Sequence, residues 1–255
     1  ITNIQISGSI KGGSEGEAVV GAVAGLASRN EGFKETSYGS VRRVINSISY
    51  IGRIKSNATV SGNSVVGGLV GENEGVLYES SFSGEVSATS ELGGLVGRNK
   101  GTTIRSEAGT IKNSYSNATI QAEGDYLIGG IAGKNSAGKI RNVFSTSNFD
   151  FNTADSYRVG AITGSRFQSG TSSYKYWNKE ETDLSQENSQ GYALNTEEMK
   201  TEMTFSSNKW YNKDGEYPEI KFFSKDSRKV RDKIRRTEDR EANKKCIENG
   251  KYCVK

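Results

Sequence analysis

A short segment framed by glycine recurs five times in the first two thirds of this chain, and it limits the possible folds more than any other feature. Each copy has the form Gly-small-aliphatic-small-Gly, and Asn and Gly soon follow in four copies. The copies begin at Gly21, Gly67, Gly93, Gly129 and Gly160. Repeats with a period of a few tens of residues are typical of folds in which one supersecondary unit stacks on the next.

The best copies define what each position of the repeat does. Their repeat-defining residues are Gly67, Gly68, Leu69, Gly71, Gly93, Gly94, Leu95, Gly97, Gly129, Gly130, Ile131 and Gly133. We expect the aliphatic residue to point inward, while the glycines permit corners at positive φ and close approach of neighbouring coils. The following Asn favours a turn and can stack in a hydrogen-bonded ladder. A phosphate-binding loop is not favoured, because neither Lys-Ser/Thr nor a helical pattern follows.

Segments that alternate apolar and polar residues lie between the copies, and this period predicts half-buried strands. They are residues 4–10, 45–50, 78–86, 111–120 and 140–145. The irregular spacing of the repeats places insertions in loops. The longest insertion, residues 33–43, predicts an exposed protrusion and is the best candidate for a contact surface.

The composition favours a thin core over a large one. The apolar fraction is 33%, and the chain has 31 glycines and a single proline. Long backbone ladders tolerate proline poorly. We therefore predict an all-β fold, a parallel β-solenoid in the form of a right-handed β-helix, over residues 1–173. Residues 174–223 are rich in aromatic side chains and predict a cap, with a helix N-cap at Asn195; a sugar-binding aromatic platform is the alternative for that segment.

The last 32 residues, 224–255, predict a short basic helical tail or linker. They contain 12 Lys/Arg and 6 Asp/Glu, whereas the rest of the chain is nearly neutral. Cys246 and Cys253 flank Asn249-Gly250, a strong hairpin signal, so they would face each other at a distance that suits a disulfide. A zinc site would need more ligands. A disulfide indicates an oxidising, extracytoplasmic setting.

The repeats resemble the GLUG-motif repeats of large bacterial surface proteins, which include adhesin-like proteins and the non-catalytic portion of IgA1-specific metallopeptidases. Residues 67–75 and 93–101 carry the closest resemblance, and the resemblance extends over about residues 1–223. It implies a parallel β-solenoid without catalytic residues. It also implies a bacterial cell-surface or secreted location.

The function that these features predict is a non-catalytic module for adhesion, binding or spacing, with no cofactor. The chain has no histidine, which excludes a Ser-His-Asp triad or an H-E-x-x-H zinc site within it. The expected partner is a host or cell-surface protein or glycan, and an anionic cell-wall polymer for the basic tail; nucleic acid is not favoured. No apolar run is long enough for a membrane span, and the first residue, Ile1, suggests a piece of a longer protein.

Two alternatives stay open at this point. The chain could be the non-catalytic region of a large surface metallopeptidase of the IgA1-protease kind. It could instead be a polysaccharide-active β-helix enzyme, since carboxylates alone can hydrolyse glycosides. Asp125, Asp150 and Asp155 are the candidate acids for that reaction, although no spacing brings them together.

Overall fold

Parallel β-strands account for most of the regular structure in the described part of the chain. A computed structural model of the protein describes residues 1–12, 18–35, 41–102, 107–122, 127–151, 159–165, 173–182, 184 and 190–224. Within these ranges there are two short helices, α1 (Lys179–Thr182) and α2 (Thr196–Thr201), and the remaining regular structure is strand. The predicted all-β class with parallel sheets is confirmed.

Four parallel sheets contain most of these strands. Sheet A contains β1 (Thr2–Ile6), β7 (Tyr50–Ser56), β11 (Val76–Tyr78), β12 (Ser81–Phe82), β16 (Thr110–Ser116), β20 (Lys139–Ser145), β23 (Ser173–Asn178) and β24 (Tyr192–Leu194). Sheet B contains β2 (Ser9–Lys11), β8 (Thr59–Ser61), β13 (Glu85–Ala88), β17 (Thr119–Ala122) and β21 (Asn148–Phe151). Sheet C contains β3 (Val19–Gly21), β9 (Val65–Gly67), β14 (Glu91–Gly93), β18 (Ile128–Gly129) and β22 (Val159–Gly160). Sheet D contains β4 (Ala24–Ala27), β10 (Val70–Asn73), β15 (Val96–Lys100) and β19 (Ala132–Ser136).

The chain visits the sheets in the fixed order A, B, C, D. It completes this circuit four times, from β1 to β4, β7 to β10, β11 to β15 and β16 to β19. The next circuit runs through β20, β21 and β22 and reaches sheet D as a bridge between Ala132 and Thr163. Each strand therefore pairs in parallel with the strand one circuit earlier and one circuit later.

The core is a set of apolar columns between the four sheets. One inward aliphatic residue from each circuit stacks on its equivalent, as Val66, Leu92 and Ile128 do in sheet C. All three are at most 1% exposed. Because each layer needs only a few large side chains, the low apolar content of the chain is sufficient to fill this interior.

The repeat glycines form the corner between sheets C and D. Gly67 and Gly93 end strands of sheet C, and a Cβ on either would overlap the carbonyl oxygen three residues further on. None of the repeat-defining glycines has a left-handed φ, so the corners at positive φ that we expected are not observed. The absence of a side chain, rather than an unusual φ, is what these corners require.

The aliphatic residue of each repeat points into the core at the same corner. Leu69, Leu95 and Ile131 are fully buried. The amide of Leu69 donates to the carbonyl of Leu95 at 2.9 Å, and the amide of Leu95 donates to that of Ile131 at 3.0 Å. The repeats thus stack in register through their corners as well as their strands.

A ladder of buried asparagines follows this corner, at the end of the sheet D strands. Asn73 Nδ2 donates to Asn99 Oδ1 at 2.8 Å, and Asn99 Nδ2 donates to Asn135 Oδ1 at 2.7 Å. All three residues are at most 3% exposed. The ladder predicted from the repeated Asn is present for these three copies. In the first circuit, Ala27 occupies the position next to Asn73.

The insertion between the first two circuits is an antiparallel pair outside the four sheets. Strands β5 (Arg29–Glu35) and β6 (Val41–Ile48) form it, and residues 36–40 lie outside the described residues. The expected alternating strand at 45–50 is wrong in detail, because its residues divide between β6 and β7. That residues 33–43 form a contact surface stays a prediction.

The segment expected as a cap begins with strands that extend sheet A. Strand β23 pairs with β20 across the boundary expected at residue 174, and β24 pairs with β23. Residues 196–224, which we call the strap, then contain α2 and the antiparallel pair β25 (Trp210–Tyr211) and β26 (Glu219–Ile220). The predicted N-cap at Asn195 is confirmed as a capping box with Glu198. Residues 225–255, with Cys246 and Cys253, lie outside the described residues, so the basic tail and the disulfide stay predictions.

Candidate binding groove

The strap crosses the outer face of sheet A and contacts four neighbouring strands in succession. Thr204 O accepts from Tyr176 of β23, Ser206 contacts Asn142 of β20, and Ser207 contacts Asn113 of β16. Further along, Lys209 lies 3.5 Å from Glu79, which follows β11. Residues 204–209 therefore pass over four neighbouring strands of sheet A or their extensions.

An aromatic cluster holds the strap on the sheet. Trp210 is 7% exposed, and its ring centroid lies 4.2 Å from that of Phe205 and 5.6 Å from that of Phe144. Tyr115 stacks on Phe144 at 4.8 Å from the neighbouring strand. Buried rings of this size dominate local packing energy. Many of the aromatic rings of the 174–223 segment are therefore used to attach the strap, whereas Tyr174, Tyr192 and Tyr211 remain exposed.

A column of left-handed residues runs across sheet A beneath the strap. Residues at the same register in six strands or strand extensions have φ between 46° and 63°, and they are Asn3, Arg53, Glu79, Asn113, Asn142 and Tyr174. Non-glycine residues rarely adopt this conformation, although asparagine does so more readily than most.

The left-handed residue interrupts the alternation of the strand, so that two consecutive side chains point outward. In β16, Lys112 and Asn113 both line the outer groove, whereas Ile111 and Ser114 are buried. Serine hydroxyl groups replace backbone hydrogen bonds where the strand pairing is interrupted, since Ser80 N donates to Ser114 Oγ at 3.1 Å. The outer face gains a second row of polar side chains that strict alternation would not provide.

The strap and this face border an open groove with a volume of about 490 Å³. That volume lies within the range of small-ligand sites. The lining residues come from four strands of sheet A and from the strap, and they are Tyr50, Tyr78, Glu79, Lys112, Asn113, Arg141, Asn142, Ser206, Ser207 and Lys209. We consider this groove the candidate site.

Two buried asparagines on the floor of the groove use their carboxamide oxygens, but not their NH₂ groups, in hydrogen bonds to described residues. Asn142 Oδ1 accepts from the backbone N–H of Ser206 at 3.1 Å and from its hydroxyl at 3.0 Å. Because a backbone N–H can only donate, Asn142 must turn its oxygen to the strap and its Nδ2 away from it. Asn113 accepts similarly from Ser207 at 2.6 Å. Among the described residues neither Nδ2 group has a hydrogen-bond partner, although the two asparagines are only 8% and 5% exposed.

Cationic side chains outnumber carboxylates among the described residues that line the groove. In the described part of the lining, Lys112, Arg141 and Lys209 face one carboxylate, Glu79, which already contacts Arg53 Nε at 3.2 Å. Lys112 lies 3.8 Å from Glu107 at the rim. Arg141 is exposed and forms no ion pair with any residue in the described part of the chain. The lining therefore favours an anionic group.

Two tyrosines form the opposite side of the groove. The Tyr78 ring lies directly over Gly52, where any Cβ would overlap it. Tyr50 is 48% exposed, and its hydroxyl donates to Glu107 Oε2 at 2.8 Å. Partly exposed tyrosines offer an apolar ring face together with a polar edge.

The charged side chains of sheets C and D differ from those of the groove in that they form ion pairs with one another. Arg98 bridges Glu72 and Glu91, Lys100 lies 2.7 Å from Glu72, and Lys134 lies 3.4 Å from Glu91. The hydrogen bond to Glu91 is the main cause that raises the pKa of Arg98. Since each carboxylate already has two cationic partners, this network has less capacity for a ligand than the groove.

The residues expected to define the site and those that form the groove are different sets. The repeat-defining residues at Gly67–Gly71 and their equivalents shape the C–D corner, on other sheets than the groove. Asp150 lies in β21 of sheet B, while Asp125 and Asp155 lie outside the described residues. The groove residues were missed, although the tripeptides that begin at Ile111 and Ile140, Ile-Lys-Asn and Ile-Arg-Asn, are a signal that could have identified them.

Comparisons with protein-family models, with curated proteins and with solved structures found no match for this chain. In the part of the chain that the structure describes, no helix combines the length and apolarity needed to cross a bilayer. Nor do the described residues include a cluster of three or more potential Asp, Glu or Cys metal ligands.

Proposed function

We propose that this chain is a non-catalytic β-solenoid module of a bacterial cell-surface or secreted protein, and that it serves adhesion, binding or spacing. The observation that carries the proposal is the open, donor-rich groove on the outside of a repeatedly stacked parallel sheet. Extracellular repeat modules use such lateral surfaces for binding, because successive layers present side chains at regular intervals.

The solenoid part of the proposal is supported by the constant order of the sheets. Four circuits through A, B, C and D, each in register with the next, are what one continuous coil of parallel strands would produce. The asparagine ladder and the stacked corner residues support the same arrangement. The GLUG resemblance is consistent with it, and it also supports the external location.

The binding part is supported by the chemistry of the groove. Its unpaired groups are donors, namely two carboxamide Nδ2 groups and a guanidinium. Glycoside hydrolysis requires a pair of carboxyl groups in which one is protonated and the other acts as base or nucleophile. The described lining residues instead include one carboxylate, Glu79, in contact with Arg53 and Lys209.

Retention without turnover tests this function. The full chain would be incubated with insoluble acidic and neutral polysaccharides, and both the bound protein and the released reducing ends would be measured. We expect protein to be retained while reducing ends stay at the level of the protein-free control. Release of reducing ends that requires the native chain would contradict the proposal and favour a polysaccharide-active enzyme.

The external location needs a separate test. Antibody raised against the purified chain should label intact cells of the encoding organism or precipitate the protein from culture medium. A cytoplasmic protein of known location provides the control for cell lysis. Labelling only after permeabilisation, with no protein in the medium, would refute the proposed location.

A further inference from the structure

We infer that the groove between the strap and sheet A binds acidic saccharides, with the carboxylate of a uronic or similar sugar acid held by Asn113, Asn142, Lys112 and Arg141. This inference rests on the proposed binding function and adds the ligand class to it.

The positions of the two carboxamides are the first reason. Asn113 and Asn142 occupy equivalent positions of adjacent strands, so their backbones are about 4.8 Å apart. The backbone N–H of Ser206 fixes the oxygen of Asn142, and Asn113 Oδ1 accepts from the Ser207 hydroxyl, so neither NH₂ group is used by the strap. A carboxylate accepts only, and its two oxygens can satisfy two such donors.

The cations on the preceding residues are the second reason. Lys112 and Arg141 are paired in register, one residue before each asparagine. Each strand therefore presents a cation and a carboxamide side by side, and the two strands form a block of four donor groups. An unpaired guanidinium matches a carboxylate with two parallel hydrogen bonds.

The tyrosines indicate that the rest of the ligand is a sugar. Tyr50 and Tyr78 provide ring surface and hydroxyl groups next to the cationic block. Among the described residues the lining contains no aliphatic side chain, so this part of the chain offers no pocket for the apolar residues of a peptide. The groove is open to solvent and has room for a short oligosaccharide rather than for one buried ring.

Calorimetric titration of the full chain tests the ligand class. The probes are a hexuronic-acid tetrasaccharide, the same tetrasaccharide with its carboxylates reduced to alcohols, and an aspartate-rich peptide of equal charge. We expect the uronate to bind at least tenfold more tightly than its reduced form and the peptide. Equal affinity for the reduced saccharide, tighter binding of the peptide, or no binding of the uronate would each overturn the inference.

Three variants locate the site. Arg141→Ala should weaken uronate binding at least tenfold. Asn142→Asp keeps the acceptor for Ser206 but replaces the NH₂ donor by an acceptor oxygen, so it should weaken binding as much or more. Lys139→Ala removes an exposed cation from the same strand but outside the groove, and it should change affinity less than twofold. Equal loss in Lys139→Ala and Arg141→Ala would indicate non-specific charge attraction and overturn the assignment.

Circular dichroism of each variant would establish that the strands are intact. The same samples would be assayed for reducing ends, which separates the two proposals. Absence of uronate binding without hydrolysis would remove only the ligand assignment. Hydrolysis of the tetrasaccharide would instead contradict the non-catalytic function.

Discussion

At the scale of single residues, the fold depends on positions where a polar group is enclosed by the neighbouring circuits. Asn99 is the clearest case, because it is fully buried and each functional atom of its carboxamide has a partner. Lys175 is a different case, because it is a cation placed in the interior, paired in register with Val143. Replacing Asn99 should therefore lower the stability of the chain, whereas replacing Lys175 should raise it at neutral pH.

Replacing Asn99 with alanine should destabilise the chain by about 3 kcal/mol or more. The change leaves Asn135 Oδ1 without its donor and removes the nearest acceptor of Asn73 Nδ2, while Gly109 O keeps only the backbone N–H of Lys139. Each buried unsatisfied group costs about 1–3 kcal/mol. Urea unfolding followed by tryptophan fluorescence measures the effect. Asn148→Ala, at an exposed strand position, is the control and should shift stability by less than about 0.5 kcal/mol. Similar midpoints for the two variants would contradict the ladder's role.

The buried Lys175 should make stability depend on alkaline pH. Burial lowers the pKa of Lys175 to about 8, whereas an unfolded lysine has a pKa of about 10.4. Between these values the unfolded chain binds the extra proton, so stability should rise as pH increases through this window, by about 3 kcal/mol in all. Below pH 8 the buried charge is a constant penalty.

Lys175→Met tests this dependence. The variant should be more stable than the parent at pH 7 and should lack the rise between pH 8 and 9.5, measured by urea unfolding at each pH. Lys139→Met, which removes an exposed amine of the same sheet, should keep the rise. If the parent and Lys175→Met curves run parallel over this range, the pKa of Lys175 is not lowered in the folded state.

At the scale of elements, the strap and the left-handed column depend on each other. The column turns asparagines outward, the strap supplies the donors that those asparagines accept, and the aromatic cluster holds the strap in place. Six left-handed non-glycine residues would each add strain of about 1–2 kcal/mol in isolation, so the contacts made by their side chains must offset part of it.

Trp210 is the residue whose loss should detach the strap. Trp210→Ala removes a buried ring that contacts Phe144 and Phe205, and we expect a loss of about 3–5 kcal/mol. Hydrogen exchange should show faster exchange in residues 196–224 while the strands of sheets B, C and D stay protected. Tyr211→Ala, at the adjacent exposed ring, is the matched control. Uniformly faster exchange across all sheets would mean that the strap is not a separate element.

At the scale of the whole molecule, the first circuit is the least protected layer. Strands β1, β2, β3 and β4 each stand at one end of their sheet. Ile4, Val19 and Leu26 of this layer are 38%, 38% and 55% exposed, whereas their counterparts in the next circuits are mostly buried or charged. Strand edges next to exposed apolar side chains favour association with other chains.

Leu26→Lys should therefore reduce concentration-dependent self-association. Sedimentation velocity over a hundredfold range of concentration measures it, and the variant should stay at the smallest species where the parent shifts to larger ones. Tyr211→Lys adds the same charge at a site on the strap and should behave as the parent does. Equal association of the parent and both variants would show that this layer is not the contact.

The repeated Gly-small-aliphatic-small-Gly segments and the asparagines after them determined the class of the fold, the buried corner residues and the ladder. These features are local and periodic, so each copy specifies the same corner and successive corners must stack.

The sequence did not reveal the column of left-handed residues, since Arg53, Glu79 and Tyr174 have no intrinsic preference for that conformation. Nor did it reveal the path of the strap, which brings Ser206 and Ser207 to asparagines more than 60 residues away. Only the tertiary structure decided these features, because they arise from contacts between segments whose meeting leaves no periodic signal along the chain.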